Sequence, residues 1–176
     1  MVVYLIVGAP QTGKTTFVKN NILNKYRNVL LYDVQDQYPE LKWYKRGESG
    51  KMRISPTDIE FEKFVMLATA IPKTLFIFEE ATQFLEGKIS KMLKSCLVGK
   101  AHTKNRFCFI FHSFDQVPPR IIDYADYIIQ FSTGISDTMD KVKYLPIKEA
   151  HVKLEHMERF SKIIHRVSVL AKENIY

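Results

Sequence analysis

"VVYLIVGAPQTGKTT", residues 2–16, joins an unbroken apolar run to a polar loop bounded by glycines, and then to a helical pattern. Val2 to Val7 shows no polar alternation, as expected of a strand buried on both faces. The loop Gly8-Ala9-Pro10-Gln11-Thr12-Gly13-Lys14-Thr15 matches G-x-x-x-x-G-K-[ST] in full, and Thr16 continues into the helix. Gly8 and Gly13 let the backbone wrap around phosphates with its N–H groups turned inward, and the helix N-terminus adds a partial positive charge. Lys14 suits the β- and γ-phosphates, and the Thr15 hydroxyl suits Mg²⁺. A chance glycine-rich turn would lack the buried strand before it and the helix after it, so residues 8–16 are expected to bind a nucleoside triphosphate.

A phosphate loop of this kind needs an acid at the end of another buried strand for the metal, and a group to orient the attacking water. "TLFIFEEATQF", Thr74 to Phe84, supplies both: Leu75 to Phe78 is apolar throughout and stops at Glu79 and Glu80. Adjacent residues at a strand end point in different directions. Glu79 is therefore expected to serve Mg²⁺, through a metal-bound water given its extra methylene relative to the usual Asp, and Glu80 to serve the water. Two adjacent acids of this kind resemble the P-loop division in which an extra strand lies between the phosphate-loop strand and the acidic strand. The guanine-recognition pattern N/T-K-x-D is absent from the chain, which favours ATP over GTP.

Further strands are expected at Asn28–Asp33, at "FCFIFHS" (107–113) and at Ala125–Phe131, alternating with helical patterns. That alternation indicates an α/β fold with a mainly parallel sheet flanked by helices. Ser55-Pro56 reads as the start of a helix through 70. Leu85, Ile89, Met92, Leu93, Cys96 and Leu97 form one helical face, with Lys88, Lys91 and Lys94 opposite. In the tail, Ile147, His151 and Leu154 suggest a helix, and "IIHRVSVL" alternates like an edge strand.

The chain has 176 residues, 46% of them apolar, enough for one domain over residues 1–176. Its motifs fall within about 1–132, with an extension over about 141–176. No segment reaches the roughly 18 apolar residues of a membrane span, and the N-terminus lacks a signal peptide's basic region. Cys96 and Cys108 lie outside any CxxC and the histidines lack zinc spacing. A cytoplasmic protein without a structural metal is expected. The formal charge is +7, and its distribution is uneven. Gly87 to Arg106 contains Lys88, Lys91, Lys94, Lys100, Lys104 and Arg106 and no acid; Lys42, Lys45, Arg46, Lys51 and Arg53 surround Trp43 and Tyr44. Such patches suit non-sequence-specific contact with a DNA phosphate backbone, or a subunit interface.

"LLYDVQDQY", "LFIFEEATQF" and "KAHTKNRFCFIFHSFDQVPPRIIDYADYIIQF", in that order over residues 1 to about 132, resemble the FtsK–HerA superfamily of P-loop ATPases, and among them the compact viral genome-packaging ATPases. The resemblance implies a sheet of order 5-1-4-3-2, an acid ending the second strand at Asp33, and a γ-phosphate sensor at Ser113, where Gln or Asn is more usual, with His112 beside it. It also implies a ring of five or six copies in which each subunit lends an arginine to its neighbour's site. Arg106 is the residue nearest the sensor strand that could serve, with Arg120, Lys100 and Lys104 as alternatives. The implied function is ATP hydrolysis with Mg²⁺ driving DNA translocation, in host cytoplasm or on the virion, docked on a capsid or membrane-vertex protein. Three other functions share the P-loop: a filamentous-phage assembly motor, a nucleotide switch, and a monomeric nucleotide or nucleoside kinase. A kinase would want an arginine-rich lid, and no two of the seven arginines lie within six residues of each other.

Overall fold

The computed structural model describes residues 2–85 and 88–131 and the backbone of 168–171. The helix expected around Ile147, His151 and Leu154 lies outside the described residues, as does Gly87 at the start of the acid-free run. The strands are β1 (Val3–Val7), β2 (Val29–Tyr32), β3 (Lys42–Trp43), β4 (Lys51–Ile54), β5 (Leu75–Phe78), β6 (Arg106–Phe111), β7 (Tyr127–Gln130) and β8 (Ser168–Ala171). They form one sheet in the order β3-β4-β2-β5-β6-β1-β7-β8. The first seven are parallel, and β8 pairs antiparallel with β7, Tyr127 opposite Ala171. The five strands read from apolar runs fall in the order 5-1-4-3-2, with β6 as the extra strand between β1 and β5.

Side chains alternate between two cores because successive strand residues face opposite ways. Leu5, Tyr32, Phe76, Phe78, Phe107 and Phe109 bury one face, and Ile6, Leu31, Ile77, Cys108, Ile110 and Ile129 the other. On the first face the rings of Phe78 and Phe109 stack at 4.7 Å between centroids, and Phe64 meets Phe78 edge-on at 5.3 Å. Helices α2 (Phe61–Ala70), α3 (Lys91–Val98) and α5 (Pro119–Tyr124) cover that face through Phe64, Val65, Leu93, Leu97 and Ile121. The opposite face is covered by the segment after the phosphate loop. It makes one α-helical turn, α1 (Lys14–Phe17), then a π-helical turn (Val18–Ile22) and a 3₁₀ turn (Leu23–Lys25), burying Val18, Ile22 and Leu23.

Three local expectations are corrected. Ser55-Pro56 starts a turn, not the helix: Asp58 N and Ile59 N donate to Ser55 O at 3.0 and 3.2 Å, and α2 begins only at Phe61. The Ile59 carbonyl is thereby left to accept from the Tyr32 hydroxyl at 2.9 Å. Helix α3 is shorter than its apolar stripe, since Ser90 caps it by accepting from Leu93 N at 3.1 Å; Lys88 is exposed but outside the helix. A further short helix, α4 (Lys100–Thr103), follows it. Finally, β3 and β4 occupy residues read as a basic patch. Two exposed residues in β3 and the charged pattern KMRI in β4 leave no apolar run to find.

Candidate active site

The phosphate loop leaves β1 at the carboxyl edge of the sheet, where loops after parallel strands converge. Gly8 is required by close approach: a Cβ there would lie 2.5 Å from the Phe131 Cβ, just after β7. Gly13 sits at φ +96°, a conformation that other residues adopt only with strain. Thr12 Oγ1 donates to Ala9 O at 2.8 Å and Phe17 N to Gly13 O at 2.9 Å, closing the loop onto the helix. Lys14 is buried and folded back over the loop, donating to the Gly8 and Ala9 carbonyls at 2.6 and 2.9 Å. Burial lowers its pKa, opposed by the nearby carboxylates of Glu80 and Glu79.

The sheet order explains why two adjacent glutamates diverge. Strand β5 lies between β2 and β6, and Glu80 takes a left-handed backbone (φ 50°, ψ 42°) at the start of a 3₁₀ turn. Such a conformation costs a non-glycine residue roughly 1–2 kcal/mol. Glu79 faces the β2 side, where Tyr38 Oη donates to its Oε2 at 3.0 Å. Glu80 faces the β6 side, with its Oε2 against His112 Nε2. Both carboxylates are almost wholly buried, 2% and 7% exposed. Burial pushes the Glu79 carboxyl up to about 7; the Tyr38 hydrogen bond pulls the other way, and Glu80 and Asp33 add to the rise.

A cleft of about 530 Å³ joins these parts: Pro10, Gln11 and Gly13 to Thr16 on one side, and Gln35, Gln37, Glu79, Glu80 and His112 on the other. Thr15 and Glu79 both line the cleft and carry oxygen atoms of the kind that could hold a hard cation such as Mg²⁺, which needs few protein ligands when phosphates supply others. Among the described residues no cluster of three or more His, Cys, Asp or Glu could hold a metal alone. Gly8, Ala9 and Thr12 complete the loop without lining the cleft.

Two further site residues, Ser113 and the Arg106 expected to act in a neighbour's site, fall outside this cleft. Ser113 does not line the cleft; His112 does, because the chain stays extended past β6 and adjacent residues face opposite ways. Arg106 opens β6 at the opposite edge of the sheet from the loop, its guanidinium 5.1 Å from the centre of the Tyr26 ring. Lys100 is bound to Asp126 at 3.2 Å, while Lys104 and Arg120 are exposed.

The residues the sequence reading passed over are Gln37 and Tyr38. Gln37 Oε1 accepts from Thr15 Oγ1 at 2.7 Å. Asp33, buried at the end of β2, accepts from Gln37 N at 2.9 Å, Tyr38 N at 3.2 Å and Arg53 Nη1 at 2.9 Å. Asp33 thus shapes the segment beside the site without entering the cleft. The only available signal was a polar stretch, "VQDQY", straight after an acid-ended strand.

No family model and no curated protein matches the chain. Solved structures do. The genome packaging NTPase B204 of Sulfolobus turreted icosahedral virus 2, in complex with sulfate, superposes with a TM-score of 0.82 at 15% identity, covering 99% of this chain and 93% of that one. B204, the DNA-packaging ATPase from Sulfolobus turreted icosahedral virus, gives 0.76 at 14% identity over 99% and 94%. The second and third ATPase domains of EssC from Geobacillus thermodenitrificans give 0.54 at 10% identity over 84% and 34%. At such identities the likeness is one of fold: the chain has the α/β fold of the P-loop NTPases, and over nearly its whole length that of the viral packaging NTPases.

Proposed function

We propose that residues 1–176 form one ATPase domain that hydrolyses ATP to translocate DNA, as in viral genome packaging. The observation that carries this reading is the meeting of the Gly8–Thr16 loop with Glu79, Glu80 and His112 in one cleft, on a sheet with an extra strand between β1 and β5. The full-length likeness to packaging NTPases, one of them in complex with ATP-gammaS, supports it.

In this reading the Gly8–Gly13 backbone cradles the phosphates, and Lys14 exchanges its two loop carbonyls for phosphate oxygens. Thr15 and Glu79 hold Mg²⁺, which would offset charge developing on the phosphates. Glu80 orients the attacking water and takes its proton; His112 fixes the carboxylate from β6. The exposed Lys88, Lys91 and Lys94, with Lys42, Lys45 and Arg46 at the sheet edge, supply phosphate contacts to DNA. The working form is a ring of copies. Of the four cations considered for a neighbour's site, Arg120 and Lys104 are exposed, whereas Arg106 covers Tyr26 and Lys100 is paired. A capsid or membrane-vertex protein would anchor the ring; no helix among the described residues is long and apolar enough to cross a membrane.

Glu80→Gln tests the chemistry. Turnover should fall 100-fold or more while ATP binding persists; unchanged turnover would remove Glu80 from the mechanism. DNA should stimulate ATP hydrolysis, and mass should rise to a ring with DNA and a non-hydrolysable ATP analogue. A monomer under every condition, or phosphate transfer to a nucleoside instead, overturns the translocase.

A further inference from the structure

We propose that Gln37 and Tyr38 are positioning residues that set the metal affinity of the nucleotide site, acting through Thr15 and Glu79. The inference rests on the nucleotide reading above and goes beyond it by assigning a task to the loop after β2.

A threonine hydroxyl carries one proton and two lone pairs. A metal needs a lone pair, so the proton must be given elsewhere. In this chain the acceptor is Gln37 Oε1, at 2.7 Å from Thr15 Oγ1. The Gln37 amide is engaged at both ends: its Nε2 donates to Gln35 Oε1 at 2.6 Å and its oxygen faces Thr15, while its backbone N donates to Asp33 Oδ1 at 2.9 Å and holds the residue beside the site.

Glu79 is treated in the complementary way. A carboxylate accepts only, and it receives a donor, the Tyr38 hydroxyl, at 3.0 Å. That bond uses Oε2 and leaves Oε1 for the cleft. The Tyr38 ring is fully buried and its backbone N donates to Asp33 Oδ2 at 3.2 Å. One buried carboxylate thus holds two consecutive residues whose side chains reach two different elements, an acceptor for the hydroxyl on α1 and a donor for the acid after β5. Arg53 fixes Asp33 in turn at 2.9 Å, and its guanidinium lies 4.0 Å from the Trp43 ring centre on the edge strand. A loop that merely filled space would not need donor and acceptor matched to each partner.

The test uses the full chain and Mn²⁺ as the metal. Mn²⁺ binding in the presence of a non-hydrolysable ATP analogue is followed by electron paramagnetic resonance, and analogue binding in EDTA by calorimetry. Gln37→Met, which keeps the length and removes the acceptor, and Tyr38→Phe, which keeps the ring and removes the donor, should each weaken Mn²⁺ binding about 10-fold. Analogue binding in EDTA should stay unchanged. Gln37→Glu, which retains an acceptor oxygen, should restore the metal affinity, and Gln37→Met should cost nothing further once Thr15→Val is present. Unchanged Mn²⁺ affinity in both variants, or equal losses with and without metal, overturns the proposal and leaves the nucleotide reading intact. A wild-type chain that binds no analogue at all overturns both.

Discussion

Glu79 and Glu80 share a strand end but not a chemistry. Glu80 meets a histidine, and Glu79 meets a phenol in a dry environment that raises its carboxyl to about 7. A buried acid with a raised pKa binds its proton more tightly folded than unfolded. Stability of the metal-free protein should therefore fall as pH rises from about 4.5 to about 7, and level off above. At about 1.4 kcal/mol per pH unit the loss reaches roughly 3 kcal/mol. Denaturant midpoints of wild type and Glu79→Gln at pH 5 and pH 8 check this: the variant should lose much less stability between them. At the end of β6, His112→Ala should reduce turnover about 10-fold or more and Ser113→Ala far less, because only His112 touches Glu80. Steady-state rates at saturating ATP read the difference, and equal losses would show that contact with Glu80 is not what gives His112 its weight.

At the scale of elements, the phosphate loop depends on a neighbour far away in sequence. β7 brings Phe131 against Gly8, Phe131 N donating to Val7 O at 2.7 Å. Gly8→Ala should cost about 1–3 kcal/mol through overpacking, seen as a lower thermal midpoint, and Phe131→Ala should not relieve it because the clash is with the Cβ both residues share. Restored stability in the double variant would show that the ring, not the Cβ, limits the space. The apolar runs at β1, β2, β5, β6 and β7 were legible in the sequence because strands buried on both faces carry polar residues only at their ends, as Arg106 and Gln130 do here. β3 and β4 were not, since β3 is an edge strand of two exposed residues and β4, one strand in, alternates Lys51 and Arg53 with Met52 and Ile54; the start of α2 was misplaced because a local Ser55 turn competed with the helix.

For the whole molecule, the sheet separates two cores, and the aromatic stack on one of them links the elements that carry the site. Phe78 touches Phe61, Phe64, Phe107 and Phe109 within 6.4 Å between centroids, one residue before Glu79. Phe78→Ala should lower stability by about 3–5 kcal/mol, measured by denaturant unfolding; a loss under 1 kcal/mol would show that the stack is not what seats β5. The phosphate loop, the two acids and the parallel α/β class were readable from residue types at fixed local spacing. That His112 and not Ser113 lines the cleft, that Arg106 lies at the far edge, and that Gln37 and Tyr38 reach Thr15 and Glu79 came from packing between distant segments. The Gln37 and Tyr38 contacts join residues 22 and 41 positions apart, and their geometry is set by the strand order that places β5 between β2 and β6, which no local pattern encodes.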